Sequence, residues 1–181
     1  MQQTGYLGRP KRRHMKKSER PRLELEWNYL DYALEAIAFT AAVSAPLIAI
    51  SYYSELPDTI PIHFNGRGEP DGWGGKGFLW FLPVLGLGIY ALMTFLNKSP
   101  HTFNYPVHIT EENAEWQYTL ATRAIRFLKA VICLSFALIT WFMIKTATDE
   151  VQGLPTWLFI LLLGGTLVPV FILFFVSKKK N

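Results

Sequence analysis

The chain has 181 residues, half of them hydrophobic and 15% aromatic, with 18 Lys+Arg against 14 Asp+Glu and a formal net charge of +4. That length suits one domain of ordinary size, and a lone cysteine, Cys133, excludes a disulfide framework or a thiolate metal site within one chain. The cations do not form a nucleic-acid surface: Arg9, Lys11, Arg12, Arg13, Lys16, Lys17, Arg20 and Arg22 crowd the leading segment and Lys178, Lys179 and Lys180 close the chain, a placement that suits anionic lipid.

Mean hydropathy is only +0.17, but the average conceals segregation. Residues 1–31 read as a basic tail on the cytoplasmic side. Within it Leu23, Trp27 and Leu30, followed by Leu34, recur at helical spacing and predict a short helix lying along the inner surface of a membrane. The competing reading is an extended segment, because Leu23-Glu24-Leu25-Glu26 alternates.

Four later stretches approach the ~20 apolar residues needed to cross the hydrocarbon core as helix. They are residues 32–53, 77–96, 127–144 and 154–176, and together they predict an all-α integral membrane protein. The first begins too late and runs too long for a cleavable signal peptide, so it reads as a permanent helix. Small residues at Ala41, Ala45 and Ala49 and the pairs Gly86/Gly88 and Gly164/Gly165 favour close helix packing, and Pro46, Pro83 and Pro169 lie inside spans. Between the second and third spans, residues 97–126 form an inner loop that begins irregular and turn-rich. Thr110 followed by Glu111 and Glu112 predicts a helix start. Trp116, Leu120, Ala124 and Leu128 then carry that helix into the third span, which should extend into the cytoplasm by several turns. Residues 177–181 form a basic cytoplasmic end.

Orientation follows from the cations beside the spans. With both termini inside, the inner segments hold 15 Lys+Arg and the outer ones hold three, Arg67, Lys76 and Lys145. Trp27, Tyr29, Tyr32, Tyr52, Tyr53, Trp80 and Trp157 fall at span ends, as an aromatic belt does.

The outer loop, residues 54–76, is chemically rich. From Leu56 to Lys76 it carries three prolines and five glycines, with Asn65-Gly66 and Asp71-Gly72 as tight-turn signals and Ile60 to Phe64 as a candidate strand. Such a loop should hold a fixed shape. His63, Asp58, Glu69 and Asp71 could converge on a cation, although paired-ligand spacing is lacking, so the metal reading rests on His63, Asp58 and Asp71 as candidates. His63 with Asp58 or Asp71 could form a base and its orienter, with Lys76 stabilising an anion, but no motif positions a nucleophile and no residue is assigned as catalytic. Arg67 and Lys76 flank glycine turns whose amides could cradle a lipid phosphate or an anionic peptide terminus, whereas a structural reading has Lys76 snorkelling at the interface. Within the spans, Glu35 and Lys129 lie at similar depth and predict an ion pair that fixes helix packing, with Glu35–Arg126 as the alternative and a proton relay as a further one.

Leu56-Pro57-Asp58, Ile60-Pro61, His63-Phe64-Asn65, Gly68, Asp71-Gly72 and Lys76 resemble the signature of a bacterial membrane family catalogued as domain of unknown function 1648. The stretch from Phe103 to Asn113, with Tyr118 to Arg126, is similar to its single-domain members, and the resemblance spans Leu30 to Thr148. The same domain forms the N-terminal part of SdpI-type immunity proteins, which protect cells from a secreted membrane-active toxin. Those carry a further membrane domain, where here a single span from Leu154 to Val176 follows. The resemblance implies a bacterial inner-membrane protein without cofactor or enzymatic chemistry. Its outer loop would recognise a peptide, lipid headgroup or partner through His63, Asn65, Arg67, Asp71 and Lys76. Two other classes stand beside it: a metal- or His-dependent envelope hydrolase, and a structural subunit, as a homo-oligomer or with a partner on the third helix.

Overall fold

The computed structural model describes residues 15–178. The tail cations Arg9, Lys11, Arg12 and Arg13 and the terminal Lys179 and Lys180 lie outside the described residues. The elements run α1 (Tyr29–Tyr52), β1 (Thr59–Phe64), β2 (Pro70–Gly75), α2 (Phe81–Leu96), α3 (Ala114–Ala147) and α4 (Thr156–Ser177), with a short 3-10 turn, Lys76–Trp80, leading into α2. Four helices are long and apolar enough to cross a membrane. The fold is mostly helical, but the loop between α1 and α2 adds a two-stranded antiparallel hairpin.

α1 starts at a reciprocal cap: the Asp31 amide donates to Asn28 Oδ1 (3.1 Å) and the Asn28 amide donates to Asp31 Oδ2 (3.0 Å). The interfacial helix expected from Leu23, Trp27, Leu30 and Leu34 is corrected here. Residues 21–28 carry no helix, and only Leu30 and Leu34 belong to one. Tertiary contacts outweigh the local spacing. Arg20 Nη1 donates to the carbonyls of Phe103 (2.8 Å) and His101 (3.2 Å), pinning the segment across the loop that precedes α3. Leu25 packs against buried Ile109, Ala114 and Tyr118, so the alternating reading described this strap better.

α3 has 34 residues, about 51 Å of helix, against a hydrocarbon core of about 30 Å. Its start matches the Thr110 signal within a turn: the Asn113 amide donates to Thr110 Oγ1, the Thr110 amide donates to Asn113 Oδ1, and the helix proper follows. α3 is the central element and touches the other three helices. Ala38, Ala41, Ala42, Ala45 and Ala49 of α1 are buried, a small-residue seam that brings helices close. α4 is mostly exposed apolar surface. It meets α3 where a Cβ on Gly165 would come within 2.7 Å of Val131 Cγ1, and where Ser177 Oγ and the Gln117 side-chain carbonyl share a buried hydrogen bond of 2.9 Å. The exposed apolar faces are what lipid-facing helices present, since lipid exerts no pressure to hide them.

Candidate functional site

Two polar regions lie at opposite ends of this bundle. At the hairpin end, β1 and β2 pair Thr59 with Gly75, Ile60 with Gly74, Pro61 with Trp73, His63 with Gly72 and Phe64 with Pro70, with the register irregular around His63. Ile60 is fully buried in a core with Leu56, Leu79, Ala49, Met143 and Ile144, so the inward face of β1 seats the hairpin on α1 and α3.

The hairpin turn is stitched by side chains. Asn65 Oδ1 accepts from the amides of Arg67 (2.8 Å) and Glu69 (3.1 Å), and Asn65 Nδ2 donates to Glu69 Oε2 (2.8 Å). Arg67 Nε and Nη2 donate to the same oxygen at 3.1 and 3.0 Å. These donors, the Asn65 amide first and Arg67 second, hold the Glu69 carboxyl below its ordinary range. Past the turn, the Leu154 amide donates to the Gly68 carbonyl at 2.8 Å. Gly68 has φ +84°, and a Cβ there would lie 2.0 Å from the Leu154 carbonyl oxygen; a Cβ on Gly153 would lie 2.1 Å from the Gly68 oxygen. Two glycines thus lock the hairpin onto the α3–α4 connection.

Of the loop residues expected to bind, Asn65 and Arg67 are taken up by Glu69. Lys76 Nζ donates to the Leu56 carbonyl and faces Asp58 Oδ1, both at 3.3 Å, beside the Tyr53 ring. His63 Nδ1 lies against Asp71 Oδ1, with both side chains solvent-accessible, and Trp73 beside them is 55% exposed. Among the described residues no three His, Cys, Asp or Glu side chains converge as metal ligands. His63 and Asp71 meet, but Asp58 turns to Lys76 and Glu69 to Arg67.

At the opposite end, charges are buried between helices. Lys129, fully buried, donates to Glu35 Oε1 (2.7 Å) and Oε2 (2.9 Å) and to Thr94 Oγ1 (2.7 Å). The Tyr90 hydroxyl donates to Glu35 Oε1 at 2.9 Å, with its ring 4.5 Å from Lys129 Nζ. Glu35 therefore meets Lys129, while Arg126 binds a different carboxylate, Asp31, through Nη1 at 2.9 Å. Arg123 adds contacts to Asp31 from Nε and Nη2 at 3.1 to 3.2 Å, and the Arg126 guanidinium stacks 4.3 Å from the Trp27 ring centre. Sequence reading placed Asp31 at the end of the basic tail, residues 1–31, gave it no partner, and missed Tyr90 and Thr94. A signal for Asp31 was present: carboxylates at 31 and 35 are one helical turn apart, and cations at 123, 126 and 129 are spaced to meet them. The overhang of α3 is clothed by its own chain, since Ala114, Gln117, Tyr118, Ala121, Thr122, Ala124 and Arg126 are all buried.

Helices, hairpin and buried charges together define a multi-pass helical membrane protein. The family model described as Domain of unknown function (DUF1648) matches residues 40–87, the hairpin with the helix segments on either side of it. The chain is also 29% identical over 154 residues to a protein of Archaeoglobus fulgidus named only "Uncharacterized protein", covering 78% of this chain and 82% of that relative. No solved structure matches the chain. Neither likeness carries an activity, and neither extends to immunity.

Proposed function

We propose that this chain is a non-enzymatic binding protein of the cytoplasmic membrane, with its basic end inside and its hairpin outside, which recognises a cationic, apolar peptide at the outer surface. The orientation rests on the cation asymmetry of 15 to three. The carrying observation is that Asn65, Arg67 and Lys76 are bonded within the hairpin itself, leaving His63, Asp71 and Trp73 turned outward on a base that Leu56, Ile60 and Leu79 anchor.

Charge selects the partner. Residues 54–76 and 145–153 carry Glu55, Asp58, Glu69, Asp71, Asp149 and Glu150 against Arg67, Lys76 and Lys145. Each of those cations has a carboxylate partner, so the surface keeps an acidic excess beside an exposed tryptophan. Acidic groups attract a cationic peptide and Trp73 supplies a stacking face for its apolar or cationic side chains. Resistance to, or sensing of, membrane-active peptides is the concrete form of this reading.

The test is binding of a synthetic cationic amphipathic peptide to the protein in nanodiscs. Asp71→Asn combined with Trp73→Ala should weaken it at least tenfold, and cells lacking the protein should differ in survival or membrane potential under peptide challenge. Equal binding by wild type and double variant, or unchanged cells, overturns the reading. Tag labelling that places the hairpin in the cytosol overturns the orientation. The His63–Asp71 pair also fits a second reading, a His-dependent envelope hydrolase in which Asp71 orients His63 as the base. Purified protein that binds peptide and returns it uncleaved removes that alternative.

A further inference from the structure

A half-open cavity of about 440 Å³ lies at the basic end, under the strap of residues 21–28. Its wall joins Leu23, Leu25 and Trp27 of the strap to Glu35, Arg126 and Lys129 of the buried charge cluster, with Thr94, Asn97 and Lys98 at the end of α2. That size is ordinary for a small-molecule site, and the mixture of apolar floor and few convergent polar groups is what such sites share.

Two of its lining side chains are incomplete. Arg126 is only 5% exposed, and its Nε, a donor, has no hydrogen-bond partner among the described residues. Asn97 donates through Nδ2 to the Thr122 carbonyl at 3.2 Å, but its buried Oδ1, an acceptor, has no donor among the described residues. A buried polar atom left without a partner costs roughly 1–3 kcal/mol, so a group that satisfies both is bound with advantage. The surrounding charge sets its sign. Arg123, Arg126 and Lys129 face only Asp31 and Glu35, an excess of one positive charge, while Lys98 and Glu24 at the rim offset each other.

We propose that this cavity binds a phosphate ester that also bears a hydroxyl group, the phosphate accepting from Arg126 Nε and the hydroxyl donating to Asn97 Oδ1. Two sources share that chemistry: a phosphatidylglycerol-type lipid of the adjoining leaflet and free glycerol phosphate. The site lies at the opposite end from the hairpin and does not rest on the peptide-binding reading, nor on which leaflet is the inner one.

The experiment titrates purified protein in a neutral detergent with dihexanoyl phosphatidylglycerol, dihexanoyl phosphatidylcholine and glycerol phosphate, reading affinity by calorimetry and the ligand-induced rise in melting temperature. Phosphatidylglycerol should bind at least tenfold tighter than phosphatidylcholine, whose headgroup has no donor for Asn97. Tighter binding of phosphatidylglycerol than of glycerol phosphate assigns the lipid as the source, and the reverse assigns the free ester. Arg126→Lys keeps a cation for Asp31 but removes Nε, and should lose at least tenfold. Lys98→Glu changes an exposed rim charge without disturbing the bundle, and should lose severalfold. Equal affinity for the two lipids, no binding of either phosphate ester, or wild-type affinity in both variants overturns the proposal.

Discussion

The hairpin end and the basic end use the same residue types in opposite ways. At the hairpin end the carboxylates and Arg67 are open to solvent: Arg67 is 80% and Asp58 98% exposed. Ion pairs in such surroundings contribute roughly 0–1 kcal/mol, so the fold there rests on buried Leu56, Ile60 and Leu79 and on the backbone contact of Gly68 with Leu154. At the basic end Lys129, Asp31 and Arg126 are almost wholly withdrawn from solvent. A buried charge is tolerable only while its partner is present. The contrast teaches that depth, rather than residue type, decides whether a charge locks helices or stays available to a ligand. It also separates what the family signature covers: the match to residues 40–87 includes the hairpin and none of the acidic or basic groups of the buried cluster.

The sharpest way to break that contrast is to remove one buried partner. Lys129→Met leaves Glu35 with the Tyr90 hydroxyl as its remaining hydrogen-bond donor among the described residues, and should destabilise the protein by about 3–5 kcal/mol. Pairing it with Glu35→Gln should recover most of the loss, since the uncompensated charge is then gone. Thermal unfolding in detergent measures both. A Lys129→Met protein as stable as wild type would mean that the pair is solvated and the contrast of depth is wrong.

Next in size is the glycine lock. Gly68→Ala places a Cβ against the Leu154 carbonyl at a positive φ, and should cost about 2 kcal/mol or more through strain and parting of the two backbones. Gly66→Ala, two residues earlier with nothing within 4 Å, serves as the control and should be close to neutral. Limited proteolysis after Gly68→Ala should cut the hairpin while leaving the helices intact. Equal melting of the two variants would show that the hairpin is not held at its tip.

How much of this was legible depends on the range of the cause. Four spans follow from local apolar runs, and the long α3 follows from a helical pattern that continues through its polar start. The strand at Ile60–Phe64 and the turn at Asn65-Gly66 are likewise local. The sequence offered the strap as helix or as extended chain without deciding, because Leu23, Trp27 and Leu30 satisfy helical spacing while Leu23 and Leu25 satisfy alternation. The choice is made by Arg20 reaching carbonyls some 80 residues away. Docking of Gly68 on Leu154 also has no local signature. The site suffered most: Asn65 and Arg67 looked available as binders, yet Glu69, which the metal reading counted as a candidate ligand, takes both. Residue lists cannot show which polar groups are already satisfied by one another.

The smallest expected effects belong to that clasp, and they complete the comparison. Arg67→Ala should leave the melting temperature close to that of wild type, because the pair is exposed. The pH dependence has a definite sign. Asn65 and Arg67 hold the folded Glu69 carboxyl below its unfolded value, so their contribution is fully present above the unfolded value and is lost as pH falls through the folded one. Followed by NMR, the Asn65 side-chain amide should titrate with a midpoint below the ordinary glutamate range, and Glu69→Gln should abolish the transition. Because Glu69 is open to solvent, the turn should loosen over that interval while the backbone contact of Gly68 with Leu154, which has no titrating group, stays closed. A midpoint at or above the ordinary range would mean that Asn65 and Arg67 do not hold the Glu69 carboxylate, and that the clasp contributes nothing to the turn.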